Sequence, residues 1–324
     1  MHTIDHLLSL VQSEFEKQNF ISKPIELYEP IDYTMSQGGK RIRPVLCLMG
    51  CDLFDGEIES ALYPAMGIEI FHNFTLLHDD IMDNAPIRRG KETVYKKWNS
   101  NIAILSGDTM YAMAYKYIIR TKSNRLAEII DVITQTAIEI CEGQQFDMNF
   151  ETLDHVSIED YLNMIRLKTA VLLGASLKIG AIIANAKNTE TELIYKFGEN
   201  IGMAFQLKDD LLDIYSDESK FGKKTGGDII ANKKTFLYLK AIEQSNAETS
   251  NRLKELFSST ELDSDIKVNS VKDIFNKYDI QKLTEEKMDS YYQAALLNLD
   301  QINLSITKKD ILKKIAEILM SRDH

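Results

Sequence analysis

The sequence predicts an all-α protein, and three observations carry that prediction. All five prolines (Pro24, Pro30, Pro44, Pro64, Pro86) fall in the first 86 residues, so the remaining 238 of the 324 contain none. A span of that length without the residue that breaks helices, and with few glycines, reads as helical throughout. Apolar residues also recur at helical rather than alternating spacing, beginning with Ile4, Leu7, Leu8, Val11 and Phe15. Finally, the pattern Asp-Asp-x-x-Asp occurs twice, as Asp79, Asp80 and Asp83 and as Asp209, Asp210 and Asp213. On a helix, residues four apart lie above one another, so each set shares one face.

With 324 residues, 44% hydrophobic and 27% charged, the chain can bury a substantial core, and it reads as one domain over 1–324. A net charge of −11 disfavours nucleic acid and anionic membrane surfaces as partners of the whole molecule. Any anionic ligand must therefore be held by local clusters of cations. Three cysteines without zinc-type spacing suit a reducing compartment, and Cys47 and Cys51, four apart, read as core thiols. The N-terminus lacks the basic and apolar regions of a signal peptide, and no apolar run reaches membrane-spanning length, so a cytoplasmic location is expected.

In chain order, residues 3–20 form an amphipathic opening helix. Gly38-Gly39 forces a turn, after which Pro44 suits the first turn of a helix carrying Leu46, Leu48 and Met49. Between them lie Lys40, Arg41 and Arg43, at a helix start that is already partly positive. Exposed backbone donors together with three basic side chains make a site for a diphosphate. A helix from Ala61 to Asp83 delivers the first acidic cluster, and Arg88-Arg89-Gly90 follows its end. Long helices are expected over 101–119, 124–146 and 157–184, the last bearing Lys168-Thr169 inside an apolar run, where a lysine either snorkels or meets an anion. Residues 189–215 carry Phe205-Gln206 and the second acidic cluster, then Phe221 to Asp228 reads as a loop and Lys233-Lys234-Thr235 opens the next helix. Beyond 245 the chain is helical and chemically quiet, with an exposed link near Ser258 to Ser264.

Twenty-five aspartates in 324 residues would give this acidic pattern about 0.15 times by chance, so a single copy means little and two copies are a signal. Leu76, Leu77, Ile81 and Met82 around the first cluster, and Leu207, Leu211 and Leu212 around the second, imply largely buried helices. Like charges within one turn repel more strongly as the local dielectric falls, so a cation is required. Hard oxygen ligands, without cysteine or a histidine pair, favour Mg²⁺. Mg²⁺ usually takes one or two carboxylates per ion, with water and substrate phosphate completing the octahedron, so half a site on each of two helices implies a phosphorylated ligand. The two clusters, 130 residues apart, are also compatible with an old duplication.

These residues resemble the trans-type isoprenyl diphosphate synthases, the head-to-tail prenyltransferases that include farnesyl and geranylgeranyl diphosphate synthases. The resemblance rests on Gly38-Gly39-Lys40-Arg41-Ile42-Arg43-Pro44, His72, the first cluster through Arg88-Arg89-Gly90, Gly107-Asp108, Lys168-Thr169-Ala170, Phe205-Gln206 through Asp213, and Gly222-Lys223 through Lys233-Lys234-Thr235. It implies an isoprenoid-synthase fold, a single all-helical domain of roughly ten to thirteen helices around a central cavity, acting as a homodimer. By position, Lys40, Arg43, His72 and Arg89 would bind the diphosphate of isopentenyl diphosphate. Arg88, Lys168, Lys223 and Lys233 would hold that of the allylic substrate. Asp79, Asp83 and Asp209 would ligate Mg²⁺, with Asp80, Asp210 and Asp213 completing or supporting the shells, and three ions would bind together with the allylic diphosphate. Thr169 and Gln206 would line the reacting carbons.

In the same family a bulky residue upstream of the first cluster stops the growing chain. Phe74 stands five residues before Asp79, about 7.5 Å along a helix, with Phe71 a turn deeper. A short C15 to C20 product is therefore expected. Two other readings stay open on sequence: a longer-chain synthase for quinone side chains, and a non-catalytic subunit that binds diphosphates. A terpene cyclase would leave the Gly-Gly-Lys-Arg-Ile-Arg-Pro stretch unexplained.

Overall fold

A computed structural model describes residues 2–216, 225–259 and 262–321. Apart from one two-stranded hairpin, the regular structure among these residues is helical, as the proline distribution predicts. No helix among them is long and apolar enough to cross a membrane. The chain divides into two compact units, Met1–Ile133 with Ala175–Ile194, and Thr134–Gly174 with Tyr195–His324.

In the first unit, α1 (Ile4–Glu16) opens on Thr3, whose side chain accepts from His6 N, and buries Leu7 and Val11. After α2 (Ile25–Ser36), Gly38 and Gly39 both take positive φ, 75° and 140°, which only glycine adopts without strain. The turn delivers the chain into α3 (Ile42–Leu53), buried at every position from Pro44 to Leu53, as expected of a helix that is apolar all round. The long α4 (Ile58–Met82) follows; it begins one turn earlier than the sequence predicts and holds Pro64 inside it. A hairpin the sequence does not announce comes next, with β1 (Ile87–Arg88) pairing β2 (Lys91–Glu92) through Arg89 and Gly90, both at positive φ, 51° and 74°. Positive φ at both central residues is the type I′ geometry that matches strand twist.

Beyond α5 (Val94–Lys97), α6 (Ser100–Ile118) packs along α4. A Cβ added at Gly67 of α4 would meet Ala114 and Ile118, while one at Gly107 of α6 would lie 2.2 Å from His78 Nε2. Advancing along α4 thus means retreating along α6, so the two helices are antiparallel, with backbones nearly touching at Gly67 and the His78 side chain filling the space beside Gly107.

The division between the units falls within α7 (Leu126–Thr152), which the second unit takes from Thr134 onward. There α8 (Ile158–Ile165) starts with a capping box between Ser157 and Asp160. The helix predicted over 157–184 runs without a break from Ile158 to Ile183, but its winding changes in the middle. Arg166–Ala170 forms a π-helical turn between α8 and α9 (Val171–Ile183). The turn lies close against its neighbours, for a Cβ at Gly143 of α7 would come 2.4 Å from Lys168 N, and one at Gly202 would come 2.6 Å from Ala170 Cα. π-turns of this kind often mark functional positions.

Gly202 belongs to α10 (Asn188–Tyr215), whose buried stripe runs through Phe197, Ile201, Ala204, Leu207, Leu211 and Ile214 at steps of three or four. The short α11 (Gly227–Ile230) and then α12 (Phe236–Gln244), α13 (Ala247–Ser258), α14 (Ser264–Lys277), α15 (Ile280–Gln301) and α16 (Ile306–Met320) complete the chain. Leu207, Leu211, Phe236, Leu253, Phe275 and Met288 belong to one apolar core in this unit.

Candidate active site

In the first unit the three acids at the end of α4 are not equivalent. Asp80 lies three residues after the buried Leu77, so the helix turns it inward, leaving it 5% exposed, while Asp79 is half-buried and Asp83 exposed. The hairpin brings Arg88 back onto it, and Arg88 Nε donates to Asp80 Oδ1 at 2.7 Å. Burial pushes the Asp80 carboxyl up and the Arg88 guanidinium opposes that shift. Asp80 and Arg88, assigned by the resemblance to a metal shell and an allylic site, are thus partners of each other here.

Behind the hairpin a dense positive cluster surrounds His72. Arg43 Nη1 donates to His72 Nε2 at 3.1 Å. Arg89 Nη1 donates to Gly38 O at 2.5 Å and Asn73 Oδ1 at 3.4 Å, and its guanidinium lies over Gly39, where a Cβ would sit 3.1 Å from it. Burial, followed by Arg43, Arg89, Arg88 and Arg41, drives the His72 pKa well below 6.5. The imidazole is therefore neutral: Nε2 accepts from Arg43, and Nδ1 carries the proton.

Lys40 is exposed. Arg41, read from sequence as a third ligand-binding cation, has a different place. It is 7% exposed, donates to Glu69 Oε1 at 2.7 Å and Met35 O at 3.0 Å, and lies over the Phe15 ring. Its charge is neutralised by a buried glutamate far away in the sequence.

Phe74 stands in an aromatic row between α4 and α6, with its ring 4.9 Å from His78, 5.3 Å from Tyr111 and 5.5 Å from Phe71. Phe74 is half-buried, whereas Phe71 is 1% exposed and packed on all sides. The row is held from behind by His78, whose Nε2 lies 3.2 Å from Ile104 O.

In the second unit, Lys168, Thr169, Gln206, Asp210 and Lys233 line one pocket together with Asp147, Tyr161, Asp228, Asn232 and Thr235. The π-turn aims Lys168 Nζ at Asp147 Oδ2, 2.5 Å away. Thr169 Oγ1 donates to Gln206 Oε1 at 3.0 Å, Gln206 Nε2 donates to Asp210 Oδ1 at 3.1 Å, and Tyr161 donates its hydroxyl to Asp210 Oδ2 at 2.5 Å. Asp210, three residues beyond Leu207, falls on the buried stripe of α10 and is 3% exposed, whereas Asp209 is exposed.

Asp213 accepts from the backbone N–H of Asp228 at 2.9 Å and so fixes the start of α11. Of the two lysines before α12, Lys233 faces the pocket, while Lys234 donates to Phe150 O and Leu153 O at 2.7 and 2.8 Å and closes the end of α7. Lys223 lies outside the described residues.

Asp147, Tyr161, Asp228 and Asn232 escape sequence reasoning. Asp147 and Asp228 sit in no repeated pattern, and nothing in the spacing marks Tyr161 as the partner of an acid 49 residues away.

The acids here are crowded. Burial, then the charge of Asp228, pushes the Asp210 carboxyl up to about 8, against the hydrogen bonds from Tyr161 and Gln206. Burial and Asp213 raise Asp228 to about 6, against Lys233 and Lys168. A cation bound beside acids crowded in this way would favour their charged form.

Among the described residues no group of three or more His, Cys, Asp or Glu side chains forms a ready metal cage. Asp79 and Asp83 in the first unit are half-buried and exposed, and Asp209 in the second unit is exposed; each offers hard carboxylate oxygens. Oxygens of that kind suit Mg²⁺, which takes few protein ligands and fills its shell with water and phosphate.

Comparison with known proteins agrees with this chemistry. The sequence model of the family described as polyprenyl synthetase matches residues 24–275. A short chain isoprenyl diphosphate synthase of Methanocaldococcus jannaschii is 40% identical over 242 residues, 74% of each chain. A geranylfarnesyl diphosphate synthase of Natronomonas pharaonis is 37% identical over 269 residues, 75% of this chain and 79% of the relative. A crystal structure of a geranylgeranyl pyrophosphate synthase is similar with a TM-score of 0.95 and 44% identity, over 99% of each chain.

Proposed function

This chain belongs to the polyprenyl synthetase family, and on that footing we propose that it joins isopentenyl diphosphate head-to-tail to an allylic diphosphate and releases a short-chain C15 to C20 isoprenyl diphosphate. One observation carries the reading: the chain holds two separate sets of cations, each beside an aspartate cluster. Arg43 and Arg89 gather round a neutral His72 in the first unit, where Arg88 holds Asp80, and Lys168 and Lys233 line a pocket with Asp210 and Asp228 in the second. Two anion sites suit two diphosphate substrates, which a condensation needs and a cyclisation of a single diphosphate does not. The family match runs through segments of both units, which supports reading 1–324 as one catalytic domain.

In this reading Arg43, His72, Arg89 and the exposed Lys40 bind isopentenyl diphosphate, with His72 donating from Nδ1. Lys168, Lys233 and Arg88, together with Lys223, bind the allylic diphosphate. Asp79, Asp83 and Asp209 are the ligands of three Mg²⁺ ions, with Asp80, Asp210 and Asp213 orienting that shell. The ions, when bound, neutralise charge on the departing diphosphate.

Heterolysis of the allylic C–O bond sends both electrons to the diphosphate and leaves an allylic cation. The double bond of isopentenyl diphosphate attacks that cation, and the diphosphate takes the proton released as the new double bond forms. No protein nucleophile is needed. What the side chains supply is preorganised charge that binds the transition state more tightly than the substrate, and a site that keeps water from the cation. Lys168 and Lys233 meet the leaving group, and Thr169 and Gln206 face the carbons that react. Phe74 stops the growing chain. The protein works as a cytoplasmic homodimer.

Incubation with radiolabelled isopentenyl diphosphate and each of dimethylallyl, geranyl and farnesyl diphosphates tests the proposal. Labelled C15 to C20 products are expected from the shorter primers. Label confined to unreacted isopentenyl diphosphate with all three would refute it, and products longer than C25 would reassign the chain length.

A further inference from the structure

Tyr161 on α8 is 4% exposed, and its hydroxyl donates to Asp210 Oδ2 at 2.5 Å. The other Asp210 oxygen accepts from Gln206 Nε2 at 3.1 Å, and Gln206 Oε1 accepts from Thr169 Oγ1 at 3.0 Å. A carboxamide has one donor end and one acceptor end. With its NH₂ committed to the Asp210 carboxylate, the carbonyl of Gln206 must face Thr169, and the single hydroxyl proton of Thr169 is committed to that carbonyl. The lone pairs of Thr169 and the second lone pair of Gln206 Oε1 are then left for the pocket these residues line.

Resting on the prenyltransferase reading, we infer that Tyr161 is a positioning residue that sets the polarity of this pocket: by anchoring Asp210 it holds the Gln206 amide so that oxygens, not N–H groups, face the allylic carbons. Positive charge develops on those carbons as the C–O bond breaks, and preorganised oxygen dipoles stabilise it without reorganising. Without the Tyr161 hydroxyl, one oxygen of the buried Asp210 carboxyl group loses its partner and the group is free to turn. The Gln206 amide can then flip, bringing an NH₂ group to the place where a cation forms. Tyr161 need not touch substrate for this. It acts at the end of three hydrogen bonds that tie α8, the π-turn and α10 together.

The test is a double-mutant cycle on the full chain with Tyr161→Phe, Gln206→Ala and the combination, reading kcat, KM for both diphosphates and the melting temperature. Tyr161→Phe is expected to lower kcat by about 10- to 100-fold, the usual cost of losing a group that orients a functional one. KM for isopentenyl diphosphate should stay within about twofold, and the double variant should be no slower than Gln206→Ala alone by more than about twofold, because residues acting through one another are not additive. Fluorotyrosines of graded acidity at position 161 keep both ring and hydroxyl, so they hold the test open should Tyr161→Phe not fold; kcat should change monotonically along the series. Full kcat in folded Tyr161→Phe, multiplicative losses in the double variant, or a kcat indifferent to fluorination would each overturn the inference. A wild-type chain with no turnover would overturn the underlying reading instead.

Discussion

At His72 burial and four neighbouring guanidinium groups act in one direction, and the imidazole stays neutral in the folded protein. The unfolded chain takes up a proton near pH 6.5 and the native one does not. Stability from this group is therefore intact above about 6.5 and falls as pH drops, by at most about 1.4 kcal/mol per pH unit, until the depressed native pKa is reached. Urea midpoints at pH 7.5 and 5.5 should differ less in His72→Gln than in the wild type; equal differences would show that folding does not depress the His72 pKa. At Phe74, removal of the ring should open the aromatic row beside Tyr111, and Phe74→Ala is expected to lengthen the product by at least one isoprene unit on chromatography. An unchanged product distribution would return Phe74 to ordinary packing. The candidate acids were legible where a pattern repeats. The inward turn of Asp80 and Asp210 was legible too, since each follows a core leucine by three positions, but the three acids of a cluster look alike until the buried stripe is drawn. The place of Arg41 was not legible, because its partner Glu69 is fixed by packing between two helices rather than by spacing along one.

Helices announce themselves through proline, glycine and apolar periodicity; α6 and α10 fall where those signals put them, while α4 starts a turn earlier and α7 runs six residues past the expected end. Two elements that shape the candidate site give no such signal. The hairpin that carries Arg88 and Arg89 has strands of two residues each, too short for any alternation to register. The π-turn leaves no mark on the apolar pattern of 157–184, because one wide turn shifts the phase only slightly; what betrays it is the backbone of Gly143 pressed against Lys168. Gly143→Ala would place a methyl carbon 2.4 Å from Lys168 N, so the turn must move. Stability should fall by about 1–3 kcal/mol, as overpacking generally costs. The kcat should fall further than that loss explains at a temperature where the variant remains folded, because Lys168 and Thr169 move with the turn. A stable variant with wild-type kcat would mean that the geometry of the turn does not matter to the reaction.

On the scale of the whole molecule, composition was enough to give the helical class, and the family pattern from Gly38 to Thr235 was enough to give the chemistry. The division into two compact units was not legible, since it falls inside helices that the sequence writes without a break. What ties the units functionally, in the proposed reaction, is that each carries one aspartate cluster and one set of cations. If both clusters serve the same metal-dependent step, losing either must stop it. The most direct measurement is the rate of isopentenyl transfer as a function of Mg²⁺ concentration for Asp79→Ala and, separately, Asp209→Ala, with circular dichroism to verify the fold. Both variants should lose roughly three orders of magnitude or more in kcat, as expected when an interaction made mainly in the transition state is removed. Near-normal turnover by either folded variant at saturating Mg²⁺ would contradict the account.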